Sequence, residues 1–146
     1  MTPTATQHNR WQTSRRVEFG DTDMAGIVHF SRFFLWMEAA ETEYLRSRGL
    51  SVHWVSEGVT QGFPRVSVSC DYKAAAHFED ILDIAIALER IGTKSITWEF
   101  VFTRGESPIA VGKMTSVYCL NRGGKMESAE IPPELRAKLQ AAGRGG

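Results

Sequence analysis

The sequence predicts an α+β domain in which a curved antiparallel sheet wraps around one long helix. Three observations carry that prediction. Apolar residues recur with a period near 3.6 between about residues 30 and 48, and then alternate strictly over four later runs. The links between those runs, AHFED, RIGTKS and RGESP, are short and hold Gly, Pro or charge, as hairpin connections do. One amphipathic helix and one half-apolar sheet solve each other's burial problem by packing face to face.

The elements follow in order. A polar N-terminus, expected to fray, leads into a short alternating strand at Arg15–Phe19 and a Gly- and Asp-rich turn, GDTDMAG, over Gly20–Gly26. A helix is expected from Phe30 to Arg48, closed by Gly49. At 100° per residue Phe30, Phe33, Phe34, Met37, Tyr44 and Leu45 share one face, and Trp36 and Ala40 widen it. So apolar a helix is expected to be covered over most of its circumference. Val52–Gly58 reads as a short extra turn of helix. The alternating runs are Val66–Tyr72, Leu82–Leu88, Ile96–Phe102 and Met114–Leu120, and Pro132-Pro133 stands where a last helix begins. The expected organisation is a flexible segment 1–14, a domain over 15–136 and a tail 137–146 whose GRGG end is disordered.

With 146 residues and 42% apolar content, the chain can build a core without staples. Lys and Arg number 17, as do Asp and Glu. That balance argues against duplex nucleic acid, whose binding runs on excess cations, and leaves room for a small anion. Cys70 and Cys119 lie in alternating apolar runs with no metal-type spacing, so free thiols are expected. The N-terminus has no apolar core of a signal peptide, and no stretch approaches ~18 apolar residues, so a soluble cytoplasmic protein is expected.

The most unusual segment is Phe19–Phe30, FGDTDMAGIVHF. Two acids and two glycines stand just before a helix start, where unpaired N–H groups and the positive end of the dipole lie. Such a start can hold a developing oxyanion, and a nearby carboxylate can act as base or nucleophile. The same acids also suit a turn former and dipole partner, and spacing alone leaves both readings open. Asp21, Asp23 and His29 fall short of a ligand set, so no metal is expected.

The stretch FGDTDMAGIVHFSRFFLWMEAAETEYL resembles the signature of the 4-hydroxybenzoyl-CoA thioesterase family of hotdog-fold acyl-CoA hydrolases. The resemblance runs on through the strand pattern to the IPPEL tail, about residues 15–136. It implies that Asp23 is the catalytic carboxylate, attacking the thioester carbonyl or activating water. It makes the Phe30 backbone N–H the oxyanion donor, Gly26 the point where the loop backbone passes close to the thioester, and Asp21 a structural acid.

Some relatives carry His at the Phe30 position. Here the histidine is His29, and one place of offset turns a helical side chain by 100°, so that role is not transferred; His29 stays a helix-start residue beside the substrate. Glu41 is expected at an interface or in a salt bridge, with Glu38 lining the pocket as a second acid. Phe33 and Phe63 are candidate acyl-pocket residues. Arg90, Lys94 and Ser95, in and beside the RIGTKS turn, are candidates to hold the phosphates of coenzyme A at a subunit boundary. Because Gly92 and Thr93 stand where some relatives carry arginines, Arg65, Arg104 and Arg122 are kept as further cations.

The implied function is hydrolysis of an acyl-CoA, aromatic or medium-chain, with no cofactor beyond the coenzyme A of the substrate. The implied assembly is a homodimer, paired again into a tetramer, with no nucleic-acid or membrane partner. Two alternatives stand beside it: hydrolysis of acyl-carrier-protein thioesters, and acyl-CoA binding without reaction.

Overall fold

The computed structural model describes residues 10–141; the expected frayed start and GRGG end lie outside them. The order is β1 (Arg10–Arg16), a 3-10 turn (Phe19–Asp21), α1 (Arg32–Ser47), β2 (His53–Ser56), β3 (Val59–Gly62), β4 (Arg65–Tyr72), β5 (Ile81–Ile91), β6 (Ser95–Arg104), β7 (Ser107–Val117), β8 (Cys119–Arg122), β9 (Lys125–Ser128) and α2 (Pro133–Gln140). A five-stranded antiparallel sheet has the order β1-β5-β6-β7-β4, and a smaller sheet the order β2-β3-β8-β9.

The core is the interface of α1 with the larger sheet. Helical spacing places Phe33, Met37, Ala40, Tyr44 and Leu45 on one buried face, and strand alternation turns Ile84, Ile86, Trp98, Phe100 and Phe102 toward it. The Tyr44 ring meets Trp98 edge-on at 4.9 Å and Phe33 meets Phe102 at 5.1 Å. Each such buried side chain contributes roughly 1.5–3 kcal/mol. The Tyr44 hydroxyl donates to the Leu139 carbonyl at 3.1 Å and ties α1 to α2. Among the described residues no helix is long and apolar enough to cross a membrane.

Several expectations are corrected. The first strand begins at Arg10, because Trp11, Thr13 and Arg15 alternate inward on an edge that polar residues disguise; Phe19 has left it and is 77% exposed. The helix starts at Arg32, so Phe30 precedes it and is 61% exposed instead of sharing the buried face. Val52–Gly58 is no helical turn: it holds β2 and the turn into β3. AHFED does not close a hairpin either. β4 pairs with β7, and the chain crosses from that edge to β5, next to the opposite edge.

Two surfaces stay open. The sheet covers one side of α1, while Leu35 and Glu38 on the other remain exposed. Edge strand β4 exposes Val66, Val68 and Tyr72.

Candidate active site

The loop before α1 is fixed by its own backbone. The Asp21 carboxylate accepts from the Glu18 N–H at 2.8 Å and lies 3.4 Å from Arg32 Nε, while the Asp21 carbonyl accepts from the His29 N–H. Asp21 is thus a structural acid. The Asp23 N–H donates to the Ile27 carbonyl at 2.8 Å, and the Gly26 N–H donates back to the Asp23 carbonyl at 2.9 Å. This closed turn requires φ of +85° at Gly26, which a residue without Cβ adopts freely. The connection between β4 and β5 braces it: the Val28 N–H donates to the Ala76 carbonyl, and Ile27 bridges His77.

Within the turn, Asp23 Oδ1 accepts from the Ala25 N–H at 2.8 Å, while Oδ2 has no protein partner among the described residues. The bond to Ala25 thereby orients the carboxylate. The Phe30 N–H also donates to no acceptor among the described residues. Its peptide is nonetheless fixed, because the His29 carbonyl in the same plane accepts from the Arg32 N–H at 3.0 Å. In a trans peptide the N–H points opposite to that carbonyl, so it is turned away from the first turn of α1.

Asp23, Phe30 and Phe33 line one cavity of about 410 Å³, together with Ile27, Val28, Tyr72, Lys73 and Ala74–Ala76. Tyr72 and Lys73 join the functional candidates on the structure alone. Their signal was the run YKAAA closing an alternating segment: a tyrosine and a cation followed by three side chains too small to fill the space beside them. Lys73 is exposed, and its ammonium has no acceptor among the described residues.

The other candidates do not line that cavity. His29 Nδ1 lies 2.8 Å from the Ser31 hydroxyl and accepts from the Ser31 N–H at 3.2 Å, and its ring stacks on Phe30; it secures the helix start. Phe63 lines a second cavity of about 290 Å³ with Arg65 and Met126. Glu38 sits 3.4 Å from Arg65, half exposed, and fully buried Glu41 lies 2.5 Å from the same guanidinium. Glu41 is therefore the salt-bridged residue expected. Burial raises its pKa above the usual carboxylate value, with Arg65 pulling against that.

Arg90, Lys94 and Ser95 stand at the far end of β5 and its turn into β6. They are roughly 30 Å along the strand from the Asp23 loop, at ~3.3 Å per residue. Arg136 clasps that turn by donating to the Gly92 carbonyl, and Lys94 reaches Ser128 at 3.5 Å. Arg104 is occupied by Asp80 at 2.8 Å. Cys70 and Cys119 are free thiols, and no group of three or more metal-capable side chains occurs among the described residues.

Known proteins match this chain over most of its length. The pattern of the thioesterase-like superfamily covers residues 17–139. A 4-hydroxybenzoyl-CoA thioesterase of Pseudomonas sp. (strain CBS-3) is 29% identical over 129 residues, 82% of this chain and 90% of the relative. A 1,4-dihydroxy-2-naphthoyl-CoA hydrolase of Prochlorococcus marinus (strain MIT 9303) is 29% identical over 143 residues, 92% of this chain and 93% of the relative. Among solved structures, a gentisyl-coenzyme A thioesterase superposes with a TM-score of 0.73 at 30% identity, covering 88% of this chain and 98% of the other. The chain belongs to the thioesterase-like superfamily and is a thioester hydrolase of the 4-hydroxybenzoyl-CoA thioesterase family.

Proposed function

We propose that the protein hydrolyses the thioester of an acyl-CoA, aromatic or medium-chain, to the free acid and coenzyme A. The observation that carries this is a single cavity lined by both Asp23 and Phe30, where one Asp23 carboxylate oxygen and the Phe30 backbone N–H have no partner among the described residues. Asp23 attacks the thioester carbonyl, or takes a proton from the water that does. The Phe30 N–H and the positive end of α1 meet the charge that develops on the carbonyl oxygen. The C–S bond then breaks and coenzyme A leaves as a thiolate. On the base route the thiolate takes back the proton held by Asp23; on the nucleophile route one water hydrolyses the acyl-aspartate anhydride and supplies the thiolate's proton. Water is the only co-reactant, and no cofactor enters.

Phe30, Phe33 and Tyr72, facing three alanines, suit a flat acyl group, and the relatives named above carry aromatic acyl names. The working unit in this proposal is a cytoplasmic homodimer, paired again into a tetramer. Edge strand β4 exposes apolar side chains and backbone, whereas the opposite edge, β1, is guarded by Arg10, Arg15 and Arg16. Antiparallel pairing of two β4 strands sets the Tyr72 end of one against the Arg65 end of the other. Glu38, Phe63 and the Arg90–Ser95 turn then approach the Asp23 cavity from a second copy, and the turn's cations meet the coenzyme A phosphates there.

The test is turnover of Asp23→Asn and Asp23→Ala across aromatic, short and long acyl-CoA thioesters. A loss of roughly a hundredfold or more in kcat with unchanged folding is expected. Undiminished hydrolysis by Asp23→Ala overturns the assignment. So does a wild type that binds coenzyme A without turnover, or one that acts only on carrier-protein thioesters.

A further inference from the structure

The Asp23 cavity contains a side chain whose chemistry the reaction above does not use. The Tyr72 hydroxyl donates to the Phe30 carbonyl at 2.9 Å, across 42 residues of sequence. Its ring is held by an edge-on contact with Phe33 at 5.3 Å, and Phe33 is itself buried. Phe30 is otherwise an exposed loop residue ahead of a helix that has no side-chain cap.

Two peptide planes meet at Phe30. The first, carrying the N–H that has no acceptor among the described residues, is held on its carbonyl side by the Arg32 N–H. The second ends in the Phe30 carbonyl, and Tyr72 holds it. With both planes anchored, φ and ψ of Phe30 are fixed together, and the N–H keeps one direction before substrate arrives. Without the hydroxyl the second plane keeps only the longer bond from the Ser31 N–H to His29 Nδ1, 3.2 Å, and gains room to rotate. It can then carry an electron-rich carbonyl toward the place where negative charge develops.

We infer that Tyr72 is a positioning residue for the reaction, holding the Phe30 peptide so that its N–H faces the developing oxyanion. The inference rests on the hydrolysis proposed above. Tyr72 is only partly exposed, and desolvation of its covered side, followed by the neighbouring Cys70, pushes its phenol up to about 12, so the hydroxyl keeps its proton and remains a donor through the neutral range. It transfers no proton in the reaction; its contribution is geometric. Donors set before the reaction need no reorganisation as charge forms, and misplacement on the ångström scale costs orders of magnitude in rate.

The test is Tyr72→Phe, which removes one oxygen and keeps the ring against Phe33. We expect kcat to fall about tenfold or more, with KM nearly unchanged, because the lost interaction acts only when charge develops. A second measurement separates positioning from general loosening. Affinity for a non-hydrolysable thioether analogue of the acyl-CoA stays at the wild-type value. Affinity for a trifluoromethyl-ketone analogue, to which Asp23 or a water deprotonated by Asp23 adds to give a tetrahedral oxyanion, falls by the same factor as kcat/KM. Wild-type kcat in Tyr72→Phe, beside an inactive Asp23→Asn, overturns the role of Tyr72 and leaves the proposed reaction standing. Equal loss of affinity for both analogues also overturns it, since that marks a merely structural hydroxyl. A wild type that hydrolyses no thioester removes the underlying reaction instead.

Discussion

Arg65, the first residue of β4, closes an ion pair of 2.5 Å on Glu41, whose carboxylate is fully buried on α1. The same guanidinium reaches Glu38 one helical turn earlier, at 3.4 Å. A lone carboxylate in this core would be costly, and Arg65 also fastens the helix to the edge strand. Replacing Arg65 by Ala leaves Glu41 buried without its cation and is expected to cost about 3 kcal/mol or more. The double variant Glu41→Leu with Arg65→Met removes both charges and is expected to recover most of that loss, since well-packed apolar pairs often match buried ion pairs. Urea unfolding of the two variants and the wild type checks this. A single Arg65→Ala as stable as wild type would show that the pair holds nothing.

How much of this was legible in the sequence differs from element to element. Period 3.6 located α1 to within two residues at its start, and period 2 located β5 and β6, because their alternate residues Leu82–Leu88 and Ile96–Phe102 enter the core. The four-residue strands of the second sheet were missed, because strands so short show no period. The β2–β3 turn was further hidden by Glu57, which takes a positive φ of 52° beside Gly58 where Asn or Asp would announce a hairpin. In the candidate site, the closed turn around Asp23 was legible from its acids and glycines. Tyr72 was not, since at the end of an alternating run its apolar parity hid a hydroxyl that acts on a loop 42 residues away. Nor does a link such as AHFED reveal that its strand joins β7, which lies far along the chain.

Gly26 supplies the second prediction. Its φ of +85° costs an L residue about 1–2 kcal/mol, while nothing crowds the position where a Cβ would stand. The strain should therefore be taken up by the loop, through the Gly26 N–H that holds the Asp23 carbonyl. Gly26→Val is expected to lower kcat by about tenfold or more through displacement of Asp23, with Gly26→Asn, which tolerates the left-handed region, clearly milder. Steady-state kinetics beside thermal melting distinguishes the cases. Equal kcat for both variants would detach the turn from catalysis.

Asp80 gives a dependence on pH. Its carboxylate accepts from the His77 N–H at 2.9 Å and from Arg104 at 2.8 Å, and these hold its pKa below the ordinary 3.8 against the opposing effect of desolvation. The folded state then binds the proton less readily than the unfolded chain, so stability falls as pH drops. The contribution is present above the ordinary value and is lost as pH falls through the lower folded value. Asp80→Asn should flatten the decline of melting temperature below about pH 4 and lower the melting temperature at neutral pH. A variant with the wild-type acid slope would assign that slope to other carboxylates.

The edge strand carries the last prediction. Val66 is 62% exposed in the single chain, so Val66→Lys removes little buried surface from the fold. In two β4 strands paired antiparallel about a twofold axis, the substitution adds a charge to each strand beside a seam that buries apolar side chains. A charged edge is how natural sheets prevent such pairing. Light scattering should therefore show a dimer, or a pair of dimers, for the wild type and a lower mass for Val66→Lys. Because α1 exposes Leu35 and Glu38 and the Arg90–Ser95 turn lies far from Asp23 within one chain, separation should also raise KM for the acyl-CoA. Circular dichroism would stay unchanged. A wild type that is monomeric and fully active would show that one chain suffices and that β4 has no partner strand.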